Sequence, residues 1–249
     1  MTIHPRLFLI YILVSILCLS FLAMEIELGF LITKPLIVPI ILLFLIIRFK
    51  LTKHQLIPPL MVATFFSFLG DILLMLKVDE SLFKMIGLCT YIVAQTAYGY
   101  LYYSSVQNFE QKKIKLVNRW PEALTVIFAT LATLMAFPNL GVYAVPAIIY
   151  AIISTTTIIL ALNRRFYVSK ISFIITILGV SSFFIGDTLM GGDLYLANTF
   201  NHFLILLTYI LGHLLIICGM MLQIENEAKK KRSQKQNTKF LKSLNSYKY

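Results

Sequence analysis

The chain has 249 residues, of which 59 % are hydrophobic and only 13 % charged. A soluble domain carries about 25 % charge; here long runs of Leu, Ile, Val and Phe take its place, at about the 20-residue length that crosses a bilayer core. The formal net charge of +11 does not imply a nucleic-acid partner, because the basic residues fall in short loops and a tail, as on the cytoplasmic side of a membrane protein.

Apolar runs predict an all-α, polytopic membrane domain over residues 1–223 with eight spans. The first, 7–24, follows Arg6. No small-x-small cleavage site succeeds it in Ala23-Met24-Glu25-Ile26-Glu27, and Leu17 precedes Cys18, so it is expected to remain as an uncleaved span. The second, 30–48, carries Lys34, Pro35 and Pro39. Lys34 has two roles open to it: snorkelling to the interface, or offering its ammonium to an in-membrane carboxylate or a lipid phosphate. The third, 56–76, starts near Pro58 and contains Ser67 and Asp71. The fourth, 82–105, sets Tyr91, Gln95 and Tyr98 at i, i+4, i+7, on one helix face. The fifth, 121–137, opens at Pro121. The sixth, 141–162, contains Pro146, which like Pro35 and Pro39 is expected to kink its span. The seventh, 170–190, holds Asp187. The eighth, 202–223, holds Tyr209 and His213, with His213 near mid-membrane as a base, a donor or a packed neutral ring. Residues 224–249 form a basic tail rich in Lys, Asn, Ser and Gln, with too little apolar surface to pack, and are expected disordered.

With the N-terminus in the cytoplasm, Lys34, Lys77 and Lys84 are the outside members of the 22 Lys and Arg. This orientation satisfies the positive-inside rule with both termini cytoplasmic, and the expected location is a bacterial inner membrane.

The chain also repeats itself. Phe68-Leu69-Gly70-Asp71-Ile72-Leu73 matches Phe184-Ile185-Gly186-Asp187-Thr188-Leu189. Thr90-Tyr91-Ile92-Val93-Ala94-Gln95 matches Thr208-Tyr209-Ile210-Leu211-Gly212-His213, and Arg48-Phe49 matches Arg165-Phe166. The offset is near-constant at about 117 residues. A four-span unit keeps its orientation, so the halves (7–105 and 121–223) are expected to be parallel repeats about an axis along the membrane normal.

Asp71 and Asp187 are the chemically informative residues. A carboxylate within a span costs about 2.5–3.5 kcal/mol on insertion scales, so such groups face a cavity or a partner. Both follow a glycine that permits close helix approach. In one outward-opening pocket, two nearby carboxylates do not ionise together easily, which supplies an acid and a base at once; otherwise they serve as interhelical hydrogen-bonding groups. Lys34, Ser67, Tyr91, Gln95, Tyr98, Tyr209 and His213 are the expected lining. A metal is not expected: the four histidines, His4, His54, His202 and His213, have no zinc spacing. No phosphate loop, dinucleotide fingerprint or nucleophile elbow occurs either, and no cofactor is expected. Cys18, Cys89 and Cys218 all sit inside apolar runs and read as small hydrophobes rather than a disulfide framework.

Thr33-Lys34-Pro35-Leu36, Phe66-Ser67-Phe68-Leu69-Gly70-Asp71, Gly179 through Asp187, and Thr208-Tyr209 through Leu214-Leu215-Ile216 resemble the signature blocks of the YhhN family, over roughly residues 7–223. The resemblance implies an eight-span, lysoplasmalogenase-type hydrolase. Such enzymes cleave the vinyl-ether bond of lysoplasmalogens to a fatty aldehyde and a glycerophospho-base. The family's two acidic positions map onto Asp71 and Asp187. The chain departs from the pattern with Gln95 where His is expected, His213 where Gln is expected, and Gly186-Asp187 where Ser-Asp is usual. A coupled Asp pair could run this hydrolysis without metal, on a lysophospholipid-like substrate drawn from the lipid bilayer. The alternative reading is a small-molecule or lipid transporter, which parallel repeats and proline-broken spans also suit. The sequence sets no oligomeric state.

Overall fold

The computed structural model describes residues 5–50, 52–76, 79–110, 113–192 and 199–246. Long stretches without competing polar side chains leave the backbone only its own carbonyls to bond, and the helix satisfies every such group within one segment. Among the described residues eight α-helices result: α1 (Pro5–Ala23), α2 (Glu27–Phe49), α3 (Ile57–Met75), α4 (Glu80–Ser104), α5 (Trp120–Ala136), α6 (Ala144–Asn163), α7 (Lys170–Gly192) and α8 (Thr199–Ser246). Each overlaps one predicted span.

Six of the eight, all but α4 and α5, are long and apolar enough to cross a membrane. Helix α5 has 17 residues, about 25 Å at the helical rise. Helix α4 is diluted by Lys84, Thr90, Gln95, Thr96 and a series of tyrosines. Helix starts follow local chemistry. Pro58 and Pro121 occupy the first turns of α3 and α5, where a missing N–H costs nothing. The exposed Asp79 caps α4 by accepting from the Leu82 amide at 3.1 Å; that amide, with the Ser81 hydroxyl, holds its carboxyl below the usual range.

Two expectations shift. Pro146 lies in the first turn of α6, because 3-10 turns occupy residues 137–143 and the helix begins only at Ala144. A proline there removes no ladder bond. Pro35 and Pro39 do lie inside α2, which continues through both. The last helix does not stop at 223 either: α8 runs unbroken to Ser246. Ile224 is fully buried, Gln223 donates to Glu227 one turn on, and Glu225 and Glu227 pair with Arg48 at 2.5 Å and His54 at 3.1 Å. These contacts carry the helix past the apolar run. Residues 247–249 lie outside the described residues.

The most extensive packing is α3 on α4 and α7 on α8. The neighbour pattern of the first four helices recurs in the second four: α1 on α2 and α5 on α6, α2 on α3 and α6 on α7, with α4 against α6 and α8 against α2 across the halves. Leu45, Leu60, Leu101, Ile216 and Met220 fill the centre, while Leu13, Leu131, Met135 and Ile152 are exposed on the rim. Apolar side chains are therefore both inside and outside, as lipid solvation requires.

Small residues set the closest helix approach. A Cβ built on Gly179 would lie 2.7 Å from the Ile216 backbone nitrogen, and one on Gly219 would lie 2.7 Å from that of Thr176. Both contacts hold α7 to α8. At the end of the bundle opposite Asp79, polar pairs lock the helices. Arg165 grips Glu122 at 2.9 Å through two nitrogens. The fully buried Arg164 donates to Gln223 at 2.8 Å and Ser172 at 3.3 Å.

Gly179→Ala and Gly219→Ala should each destabilise the detergent-solubilised protein by about 1–3 kcal/mol, the usual cost of overpacking. Leu131→Ala on the rim should change stability by less than about 0.5 kcal/mol. Thermal unfolding followed by helix content checks this. Equal effects at all three positions would mean that α7 and α8 are not held at backbone contact.

Candidate functional site

Asp71 sits on the last turn but one of α3 and is buried. Gly70, just before it, brings α4 close: a Cβ there would meet the Tyr91 ring at 2.9 Å and the Thr90 hydroxyl at 3.0 Å. That approach lets the Tyr91 phenol donate to Asp71 Oδ1 at 2.5 Å. The Tyr209 phenol, from α8, donates to Asp71 Oδ2. Three helices thus meet on one carboxyl, and both its oxygens accept hydrogen bonds. Lys34, from α2, holds its ammonium 5.5 Å from the Phe30 ring centre.

Asp187 occupies the equivalent place on α7. Gly186 before it packs on Thr208, whose hydroxyl would lie 2.7 Å from an added Cβ, just as Gly70 packs on Thr90. The partner of Asp187 is different. Tyr150, from α6, donates to its Oδ2 at 2.7 Å, and Tyr150 accepts in turn from Gln95 Nε2 at 3.1 Å. The Gln95 carbonyl accepts from the Thr157 hydroxyl at 3.0 Å. The two hydrogen-bond networks meet on α4, where Tyr91, bonded to Asp71, and Gln95, bonded to Tyr150, stand one turn apart on one helix face.

Of the lining expected from sequence, Tyr91 and Tyr209 bond Asp71 directly, and Gln95 reaches Asp187 through Tyr150. Lys34 lies over the ring of Phe30 on its own helix. His213 lies behind Tyr209, fully buried. Its ring meets Tyr209 and Phe183 edge-on at 4.6 and 4.7 Å between centres, and neither ring nitrogen has a partner among the described residues. It touches no carboxylate. Ser67 and Tyr98 lie one layer deeper. Ser67 donates back to the Ala63 carbonyl at 3.0 Å. Tyr98 stacks near Tyr102 and packs on Phe183, with its hydroxyl beside Thr64 and Ser67. With Gln95, Ser154, Thr157 and Phe183, Tyr98 lines an enclosed cavity of about 10 Å³, the room one water needs.

The residue that sequence reading missed is Tyr150. Its signal was present: Tyr150, Ser154, Thr157 and Ala161 recur at i, i+4, i+7, i+11 along α6. The last three are buried, and this stripe faces α4. Among the described residues no three His, Cys, Asp or Glu gather as a metal cluster. The arrangement can instead hold, orient and exchange protons among two carboxyls, three phenols and one amide.

Removing the phenol of Tyr91 or Tyr209 leaves one Asp71 oxygen without its donor. Tyr91→Phe and Tyr209→Phe should each cost about 1–3 kcal/mol of stability. In an Asp71→Asn background the same changes should cost measurably less, as expected of residues in one network. A double-mutant cycle on thermal unfolding measures the coupling; strict additivity would show that the phenols pack without bonding the carboxylate.

Comparison with known proteins gives one family: the model described as the YhhN family matches residues 29–220. Neither the curated proteins nor the solved structures gave a match.

Proposed function

Because the chain belongs to the YhhN family, we propose that it is a membrane-embedded, lysoplasmalogenase-like hydrolase that cleaves the vinyl-ether bond of a lysophospholipid to a fatty aldehyde and a glycerophospho-base. The observation that carries this reading is a pair of in-membrane carboxyls, Asp71 and Asp187, whose phenol networks meet on one face of α4.

A vinyl ether hydrolyses by proton transfer to its β-carbon. The resulting oxocarbenium ion takes up water, and the hemiacetal collapses to aldehyde and alcohol. The reaction needs a proton donor, an anion for the cation, and a positioned water. A pair of carboxyls meets the first two needs, and water is the co-reactant that the third requires. No metal is required by this route. Lys34, toward the other end of α2 from Arg48, is the cation suited to the phosphate of the substrate, while the aliphatic chain stays in lipid.

The same reading takes all eight helices as spans in two parallel four-helix repeats. The recurring neighbour pattern and the matched Gly70–Thr90 and Gly186–Thr208 contacts support it. It places both termini and the Arg48, Arg164 and Arg165 end in the cytoplasm, with the carboxyl cluster toward the outer leaflet. In a Cys-free background, Asp79→Cys should then be labelled by an impermeant maleimide from outside intact cells. Labelling only after lysis would invert the orientation.

Purified protein should release aldehyde from a vinyl-ether lysophospholipid. Asp71→Asn and Asp187→Asn should each reduce turnover by at least about 10²-fold while the protein still inserts and purifies. The double variant should be little worse than either single one, because both residues serve one step. Substantial turnover in either Asn variant would end the two-carboxyl mechanism. Wild-type protein that releases no aldehyde but moves the lipid across liposomes would replace the hydrolase with a transporter.

A further inference from the structure

Asp71 and Asp187 are equivalent in sequence but not in surroundings. Both oxygens of Asp71 accept from phenols, Tyr91 on Oδ1 and Tyr209 on Oδ2. The side chain is buried. Tyr209 is the repeat equivalent of Tyr91, so symmetry would aim it at Asp187; instead it crosses to Asp71. Asp187 is only half-buried. Its Oδ2 accepts from Tyr150, and among the described residues its Oδ1 has no hydrogen-bond partner. Tyr150 is itself fixed: its oxygen takes the Gln95 amide, which commits its own proton to Asp187.

A carboxyl whose two oxygens both accept from phenols is the better anion of the two, while one with a single donor is the better place for a proton. We propose that the two carboxyls divide the reaction. Asp71 is a fixed anion, Asp187 carries the transferable proton on Oδ1, and Tyr150, set by Gln95, is the positioning residue that orients Asp187. This rests on the hydrolase reading of the site. Asp187 Oδ1–H gives its proton to the vinyl β-carbon as the C=C pair forms the new C–H bond, and positive charge develops on the adjacent carbon and ether oxygen. Water adds to that carbon and loses a proton to the Asp187 carboxylate, which restores the acid. The hemiacetal hydroxyl proton then passes to the ether oxygen as the C–O bond breaks. Water is the single co-reactant. Tyr91 and Tyr209 keep the charge of Asp71 in place while the cation forms.

Infrared difference spectroscopy on the full chain in lipid nanodiscs tests the proton's location without substrate. A protonated-carboxyl C=O band at neutral pH should vanish in Asp187→Asn, persist in Asp71→Asn, and remain in Asp187→Glu, which controls for the fold. Tyr150→Phe should move the band to higher frequency, since the carboxyl loses its hydrogen bond. The same variant should lower kcat about tenfold or more with KM changed less than about twofold, the split expected when an acid is misaligned but binding is intact. Loss of the band in Asp71→Asn, absence of any such band, or a band indifferent to Tyr150→Phe would each overturn the division. Retained turnover in Asp187→Asn would overturn its role as proton donor. If the band behaves as described and wild-type protein cleaves no vinyl ether, the proton placement stands and the hydrolase reading falls.

Discussion

A carboxylate cannot be left bare in a membrane, and most of this structure's organisation follows from that one constraint. The penalty for an unpaired charge in lipid is several kcal/mol at least. Asp71 avoids it by drawing donors from α4 and α8, helices that are adjacent neither to each other nor both to α3 in sequence. Those two bonds require the helices to approach closely, and the glycines supply the approach. Gly70 sits against Thr90 and Tyr91, and Gly212 sits against Phe183, which in turn packs on His213 and Tyr209. The polar cluster and the tight helix contacts are one feature seen from two sides.

The opposite end of the bundle solves the same problem with different chemistry. Near the loops, where water and lipid head groups can reach, full charges are tolerated, and ion pairs take the place of phenols: Arg165 with Glu122 and Arg48 with Glu225, with a His54–Glu227 hydrogen bond beside them. The contacts of Glu225 and Glu227 carry α8 beyond the apolar run that defined it in sequence. A span boundary read from hydropathy marks where lipid ends; the helix ends where its side chains run out of partners, and the two need not coincide.

Sequence reading recovered the helices well because hydropathy is a long-range average, and eight apolar runs survive small errors. Their starts were legible where Pro58 and Pro121 marked them. The in-membrane carboxyls were legible too, since Asp71 and Asp187 are isolated acidic residues in apolar runs and stand in matched motifs. Their partners were only partly so. Tyr91 and Gln95 were found by helical spacing, but which residue each one bonds depends on helix rotation, which sequence does not carry. Tyr209 was found by repetition, and repetition misleads about its target. Tyr150 was overlooked because a lone tyrosine in an apolar helix reads as packing until its hydroxyl is seen to lie between Gln95 and Asp187. For His213 the sequence left a base, a donor and a packed ring open, and the structure places it as a ring packed behind Tyr209.

The difference between the two carboxyls has a concrete source. Gly70-Asp71 and Gly186-Asp187 are matched motifs, and Gly70 packs on Thr90 as Gly186 packs on Thr208. The departure lies in the tyrosines. Tyr209 bonds Asp71, so that carboxyl accepts from two phenols, and the donor to Asp187 comes instead from α6, in Tyr150. Gln95 and His213 stand at matched positions in sequence and differ with their neighbours: the amide donates to Tyr150, while the imidazole supports the ring of Tyr209 by edge contact. Asp71 therefore takes a donor from the far half of the chain, and the proposed division of roles between the two carboxyls rests on that exchange.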